Sequence, residues 1–508
     1  VHSFQMGTES RTSISNSATR KLLLYGALLS FSSIFQMGYS NAYPNTSIET
    51  FKVYLNDSFD GELDPSSFSW IWSAILNIWF IGFALGSLLS VPIADRIGRK
   101  SCLMIGNAGN VISATLSCLA IPLNLWWLFM ASRLVFAISA AISMNSLILL
   151  LQESSPSSLR GTMSFYAEMA FVVTNAVGVI CGMRIVLGSN LIILTGLAII
   201  PALFSFLVVW PFHESPKFLL LKRKDEEAAK KSLQFYQNAD AEECDRFLRE
   251  AEEETNKEGK IENESSVRIS DFIRVPHLKK GLLLGILSLQ LTTSIWPIIY
   301  LSTEFLVRAN IDAITAEGVS TIMLLFSTVS TVIGMVVVER FSRRKIFLSF
   351  ATINVSALIL FVLSGSLQHL WDEAKYGCIA AICLHGISYS LAVGPIAWFI
   401  TAELVPLSHR ATAQSVALCI NQSIGLIFSF ITLPLYDTIE SFGFSGSLIF
   451  VPLFIIPGVI CIGILAWKLP ETRGVEIADV VKSLQEGPSH RVKPRRDVRR
   501  SNIEMDAI

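Results

Sequence analysis

The sequence predicts an all-α membrane protein: twelve transmembrane helices in two six-helix bundles related by pseudo-twofold symmetry, with a cytoplasmic helical linker between them. Two observations carry this. The 508 residues are 52% hydrophobic and only 16% charged, with a mean hydropathy of +0.53, where a soluble domain carries about 25% charge. A bilayer is the solvent that suits such a chain. The polar marks between its apolar runs also recur: Asp95 is answered by Glu339, Glu153 by Glu403, Arg160 by Arg410 and Glu214 by Glu471, at spacings of 244, 250, 250 and 257 residues. A near-constant shift across half the chain is the signature of an internal duplication.

Crossing roughly 30 Å of hydrocarbon takes about 20 apolar residues. Apolar runs at approximately 22–44, 70–94, 101–121, 126–152, 164–187 and 190–211 supply six spans, and 281–303, 316–338, 346–367, 376–402, 411–436 and 446–467 supply six more. Each is helical, because lipid offers no partner to an unpaired backbone group. Pro44, Pro297, Pro395, Pro434 and Pro457 fall within or at the ends of these runs. There they either break the helix beside a cavity or form a kink that only improves packing. Seven of the eight cysteines sit in apolar runs and Cys244 in a charged loop, so they read as packing residues rather than a disulfide framework. Trp70, Trp72, Trp126, Trp127 and Trp371 stand near span ends, as interface anchors do. No short apolar core of the signal-peptide kind precedes the first run, which is read as a full span.

Orientation follows from Lys and Arg. Connections on one side hold Arg96, Arg99, Lys100, Arg160, Arg340, Arg343, Arg344, Lys345 and Arg410, and the other side has Lys52, Arg184, Arg308 and Lys375. The positive-inside bias places both termini and the long central loop in the cytoplasm. The expected division is a tail at 1–20, a bundle at 21–211, a linker at 212–279, a second bundle at 280–468 and a tail at 469–508. The connection from about 45 to 69 is then external, and Asn56-Asp57-Ser58 is a glycosylation sequon on the accessible side, which points to the plasma membrane. The same pattern at Asn45, Asn263 and Asn421 falls against the membrane, on the cytoplasmic segment and inside a span.

The net charge of −1 says nothing by itself about nucleic-acid or acidic partners, because what matters is where the charges sit, and no nucleic-acid partner is expected. Residues 222–280 change composition completely and read as short amphipathic helices with Leu233, Phe235, Phe247 and Leu248 as buried positions, the alternative being a solvated linker. The basic tail from Arg491 is expected to be disordered.

The loop charges have chemistry of their own. In Asp95-Arg96-Ile97-Gly98-Arg99-Lys100 the glycine permits a tight turn, and the arginines can reach carboxylates at neighbouring helix ends. Glu153 with Arg160 and Glu214, and in the second half Glu339, Arg340, Arg343, Arg344, Glu403, Arg410 and Glu471, complete matched sets. Such a network is expected to latch the halves on the cytoplasmic side and to open for an inward-facing state.

These residues carry a resemblance. D-R-x-G-R-K at Asp95, E-x6-R-G at Glu153, H-E-S-P-K-F at His213, V-E-R-x-x-R-R at Val338, G-P-x-x-W-F-x-x-A-E-L at Gly394 and P-E-T-R-G at Pro470 follow in order along residues 21–479. The chain so resembles the sugar porter family of the major facilitator superfamily, and within it the facilitative glucose transporter branch. The resemblance implies the major facilitator fold, a solute site midway between the bundles, alternating access by rocking of the halves, no cofactor, and a monomer sufficient for transport. Duplicated transporters use a midplane site generally.

On that resemblance Gln290, Trp398 and Asn421 match pocket residues, and Asn45 and Asn175 join the candidate solute site. Other positions depart: Leu291 and Trp296 replace a glutamine and an asparagine, Ser390 a glutamate, Gln422 a tryptophan, Gly425 an asparagine and Ser327 an asparagine. Trp296 and Trp398 offer faces on which a sugar ring stacks. The sharpest departure is Glu168, a carboxylate where the family has a glutamine. A charge at a helix centre costs on the order of 2.5 to 3.5 kcal/mol, so it faces a cavity or a partner. Glu168 either lines the pathway, accepting from solute hydroxyls or selecting a cationic solute, or snorkels or pairs structurally. Proton-coupled members of the family it resembles carry an aspartate in the first span and none stands between Gly38 and Asn45, so the resemblance implies passive facilitation in preference to proton symport. An enzyme is not expected, since no H-E-x-x-H, G-x-S-x-G, P-loop or dinucleotide fingerprint is present. Three readings remain: a facilitative transporter of a hexose or related sugar, a transporter of an organic cation or proton-coupled solute using Glu168, and a non-transporting nutrient sensor.

Overall fold

The computed structural model describes residues 16–156, 159–240, 242, 244–245, 271–368, 370–406, 409–472 and 477–486. The first six spans are Asn16–Thr46, Pro65–Ile97, Arg99–Ala120, Trp126–Glu153, Arg160–Gly182 and the paired segments Leu191–Leu197 and Ile199–Val209. The second six are Pro276–Gln290 with Ile295–Arg308, Ala313–Arg340, Arg343–Leu367, Lys375–Ser388 running on to Gly394–Glu403, Arg410–Ser441, and a segment ending in Ile456–Lys468. Among the described residues eleven stretches are long and apolar enough to cross a membrane, and Tyr166–Gly182 is a shorter apolar helix in the remaining place. The predicted six and six are present.

Local chemistry sets the helix ends. Asp64 caps the second span by accepting from Ser67 N at 3.0 Å, with Pro65 in the first turn, and these bonds hold its carboxyl below the usual carboxylate range. Asp312 and Ser342 do the same for the eighth and ninth spans. These side chains satisfy donors that a helix start leaves orphaned. The prolines divide into two groups. The seventh span breaks at 291–294 just ahead of Pro297, and the tenth and twelfth pass through wide turns, Tyr389–Val393 and Val451–Ile455, before Pro395 and Pro457. Pro44 and Pro434, by contrast, lie inside continuous helices, so neither causes the break that was one of its expected readings.

Small residues let spans of one bundle approach closely. A Cβ on Gly38 of the first span would stand 2.0 Å from Thr174 Oγ1 of the fifth. Trp72 departs from its expected place at the interface: it is fully buried, packed on Phe51 and Phe68. Phe51 belongs to Ile48–Ser58, a helix that folds back over the first bundle with Ile48, Phe51, Tyr54 and Leu55 inward.

The linker does form helices, Pro216–Leu221 and Glu226–Gln237, beneath the first bundle. Ser232 Oγ donates to Glu214 O at 2.6 Å, Tyr236 Oη to His213 O at 2.7 Å and Gln237 Nε2 to Ser154 O at 2.9 Å. Leu233 is buried and Phe235 stacks on Tyr25, as the amphipathic reading required. Phe247 and Leu248 lie outside the described residues, as does the tail from Arg491. A helix the sequence reading did not anticipate, Ile477–Glu486, docks on the seventh span, where Lys280 Nζ donates to Leu484 O at 3.0 Å.

Candidate functional site

At the end of the molecule that carries the basic loops, the duplicated charges form one pattern twice. Arg99 Nε lies 3.0 Å from Glu153 Oε1, and its guanidinium stacks 5.0 Å over Phe218. Glu214 accepts from the backbone N–H groups of Arg99 and Lys100 at 2.8 and 2.9 Å, capping the third span. In the second half Arg343 pairs with Glu403 and stacks 5.0 Å over Phe399, while Glu471 accepts from Ser342 Oγ and Arg343 N. Arg344 donates to Ala466 O much as Lys100 does to Trp210 O. Gly98 has φ +106°, and a Cβ there would meet Glu214 Oε2 at 2.2 Å, so the turn needs glycine. Asp95 stands 3.4 Å from Arg99, Arg410 Nε donates to Ala402 O, and Arg96 and Arg340 are exposed. The side chains of Arg160 and Glu339 lie outside the described residues. Among the described residues these bonds join partners within a half, so in this conformation they brace each bundle and do not form the expected latch between the two.

The bonds between halves gather at the opposite, far end. Asn45 Nδ2 donates to Ser302 Oγ at 2.8 Å and its Oδ1 accepts from Thr303 N at 3.2 Å. Lys52 Nζ lies 3.1 Å from Glu304, Arg184 N donates to Glu317 at 2.9 Å while its side chain pairs with the same carboxylate, and Ser69 Oγ donates to Asp437. Arg308 ties Glu304 to Asp437 within the second half. Glu304 and Glu317 are each only 1% exposed. Buried carboxylates of this kind persist only when paired. Deeper in, Trp296 meets Phe80 edge to face at 5.4 Å, across the same seam. Asn45 is therefore part of the far-end closure in this conformation rather than of an open solute site.

Toward the basic end Glu168 of the fifth span and Trp398 of the tenth are exposed. Tyr389 lies near both: its hydroxyl is within reach of the Trp398 indole N–H and of the Glu168 carboxylate of the opposite half. Gln414 Nε2 donates to Trp398 O. The other expected site residues are placed differently. Gln290 bonds Thr293 within the break of the seventh span and lines a small cleft with Ser294, Asn354 and Phe454. Asn421 is buried and donates to Leu289 O at 2.7 Å, so its amide secures that break. Asn175 is buried at the contact with the first span, Ser390 is buried in the wide turn of the tenth, and Gln422 is half-buried.

Several residues escaped the sequence reading. Arg133 interrupts the fourth apolar run; it is 2% exposed, donates to Ser40 O and lies 5.3 Å over Phe136. A lone arginine mid-run was a visible signal. His385, buried at the centre of the tenth span, meets Ser294 Oγ at 2.9 Å through Nε2 and accepts from Asn354 at its carbonyl oxygen. Tyr389 gave no signal, since a tyrosine in an apolar run looks like packing.

Two helical bundles joined at one end around a polar seam, with exposed aromatic and acidic groups toward the other, define a membrane transporter. A family model described as sugar (and other) transporter matches residues 25–482, and the chain belongs to that family. It is 28% identical over 468 residues to solute carrier family 2, facilitated glucose transporter member 3, of Oryctolagus cuniculus, covering 89% of this chain and 90% of the relative. It is also 28% identical over 425 residues to member 5 of Homo sapiens, covering 81% and 84%. Among solved structures, the inward open conformation of the xylose transporter XylE from E. coli matches with a TM-score of 0.70 at 16% identity, over 91% of this chain and 99% of that one. A D-xylose-proton symporter matches with a TM-score of 0.68 at 16% identity, over 90% and 100%. These structures establish the major facilitator fold for this chain.

Proposed function

We propose that this protein carries a hexose or related sugar across the plasma membrane by facilitated diffusion with alternating access, its basic end and both termini facing the cytoplasm. The observation that carries this is the distribution of bonds between halves: they close the far end, while Trp398 and Glu168 stand exposed toward the other. A rigid-body rock about the middle would exchange the two arrangements. The basic loops support the orientation, and the relatives named for glucose transport support the solute class. Trp398 offers a stacking face beside Tyr389, and Gln414 donates to its backbone carbonyl. A monomer suffices for this cycle. Asn56 lies on the external helix, half-buried, its side-chain oxygen accepting from Leu63 N at 3.1 Å, and is the candidate glycosylation site.

One observation favours a second reading. Glu168 puts a carboxylate in the gap, which suits a cationic or protonatable solute. Counterflow in proteoliposomes, with labelled hexoses, polyols and organic cations and with or without a proton gradient, separates the two. Electroneutral hexose exchange indifferent to the gradient supports the first reading. Current that depends on a cation replaces it with the second, and binding without exchange replaces both with a sensor.

A further inference from the structure

We propose that the cavity at the basic end of the first bundle, between the third and sixth spans and the linker, binds the phosphate headgroup of an anionic phospholipid. The cavity measures about 520 Å³ and is lined by Lys100, His213, Arg223 and Glu214, with Trp210 at its rim. Three of the four charged or titratable groups are basic. The fourth, Glu214, turns Oε1 to the backbone N–H groups of Arg99, Lys100 and Ser215 at 2.8 to 2.9 Å, and its Oε2 accepts from Ser101 N at 3.4 Å. Lys100 gives one N–H to Trp210 O at 2.8 Å and keeps two more. Arg223 is exposed and lines the cavity, its guanidinium 5.8 Å from the centre of the Phe218 ring, and a guanidinium offers a phosphate a fork of paired donors.

Two further observations give the anion a lipid tail. Trp210 is 65% exposed at the end of the sixth span, the depth at which tryptophan marks headgroups. From it runs an exposed apolar column, Leu207, Phe204, Leu203 and Ile200, on the face of that span. A soluble phosphate would use the basic pocket and leave this column idle; a phospholipid uses both. Burial, and then Lys100, pulls the His213 imidazole below its ordinary value, a strain on its charged form that an anion in the cavity would relieve.

The test uses the full chain reconstituted in vesicles of phosphatidylcholine and phosphatidylglycerol, repurified in mild detergent, with retained lipid counted by mass spectrometry. Wild type retains phosphatidylglycerol preferentially. Arg223→Gln, an exposed change that leaves the fold intact, lowers this preference about fivefold, and adding His213→Gln lowers it further. Lys230→Gln, on the linker away from the cavity, leaves it unchanged. Equal retention by wild type and the double variant overturns the site. Displacement of the lipid by millimolar inorganic phosphate overturns the lipid as its ligand. Sugar counterflow is measured on the same samples, so failure here is distinct from failure of the transport reading.

Discussion

Lys52 and Glu304 meet across the two halves of the molecule, ammonium to carboxylate at 3.1 Å, although 252 residues separate them. Glu304 is also held by Arg308 at 2.8 Å, so one buried carboxylate ties the first bundle to a cation of the second. Breaking one partner of a buried pair costs about 3 to 5 kcal/mol, because the remaining charge stays desolvated. Glu304→Lys is expected to push the equilibrium toward an externally open state. A cysteine placed at Ser302 in that background should react with an impermeant maleimide at least tenfold faster than in wild type, and Lys52→Glu combined with Glu304→Lys should bring the rate back down. Unchanged labelling in the single variant would show that the pair does not hold the far end shut.

Arg184, just past the end of the fifth span, and Glu317 of the eighth form a second clasp. They share no partner with the first pair, and distant sites add. Glu317→Gln should raise the same labelling rate independently, and the combination with Lys52→Gln should give close to the product of the two effects. A combined effect no larger than one alone would mean a single cooperative lock.

Gly98 stands with positive φ and its Cα faces Glu214 and Phe218. Gly98→Ala must shift the Glu214 cap and adopt a backbone region costly for any other residue, a loss of about 1 to 3 kcal/mol. The melting temperature of the purified protein should fall. Gly463→Ala, where an added Cβ meets nothing within 4 Å, serves as the control and should not lower it.

Trp398→Phe keeps an aromatic face and removes the indole N–H beside the Tyr389 hydroxyl. Loss of one neutral hydrogen bond is worth about 0.5 to 1.5 kcal/mol, so KM for hexose should rise by about two- to tenfold with the maximal rate little changed. Glu168→Gln removes a charged acceptor, worth about 1.5 to 3 kcal/mol if a solute hydroxyl uses it. Its KM should rise more, by at least tenfold. Transport by Glu168→Gln with wild-type rate, selectivity and pH profile would take Glu168 out of the solute path.

Much was readable before any coordinates. The twelve spans follow from hydropathy, the placing of Glu153 and Glu403 within reach of loop arginines from spacing repeated in both halves, and the linker helices from composition; that the partners are Arg99 and Arg343 of the same half did not. The solute site was less readable. Gln290 and Asn421 match a family pattern by position, yet here their amides serve the break in the seventh span. What a polar side chain bonds depends on the rotation of its helix against neighbours far away in sequence, and position along the chain does not record that.

By itself, then, the sequence determined a membrane-spanning, duplicated chain with its basic loops at one end, because burial in lipid and backbone self-satisfaction act locally and leave a one-dimensional trace. Only the tertiary structure decided which end is closed, that Lys52 reaches Glu304 and Arg184 reaches Glu317, and that Tyr389 comes near both Glu168 and Trp398. The physical reason is that one sequence supports more than one docking of its two bundles, and ion pairs across the seam exist only in the docking that brings their helices into register.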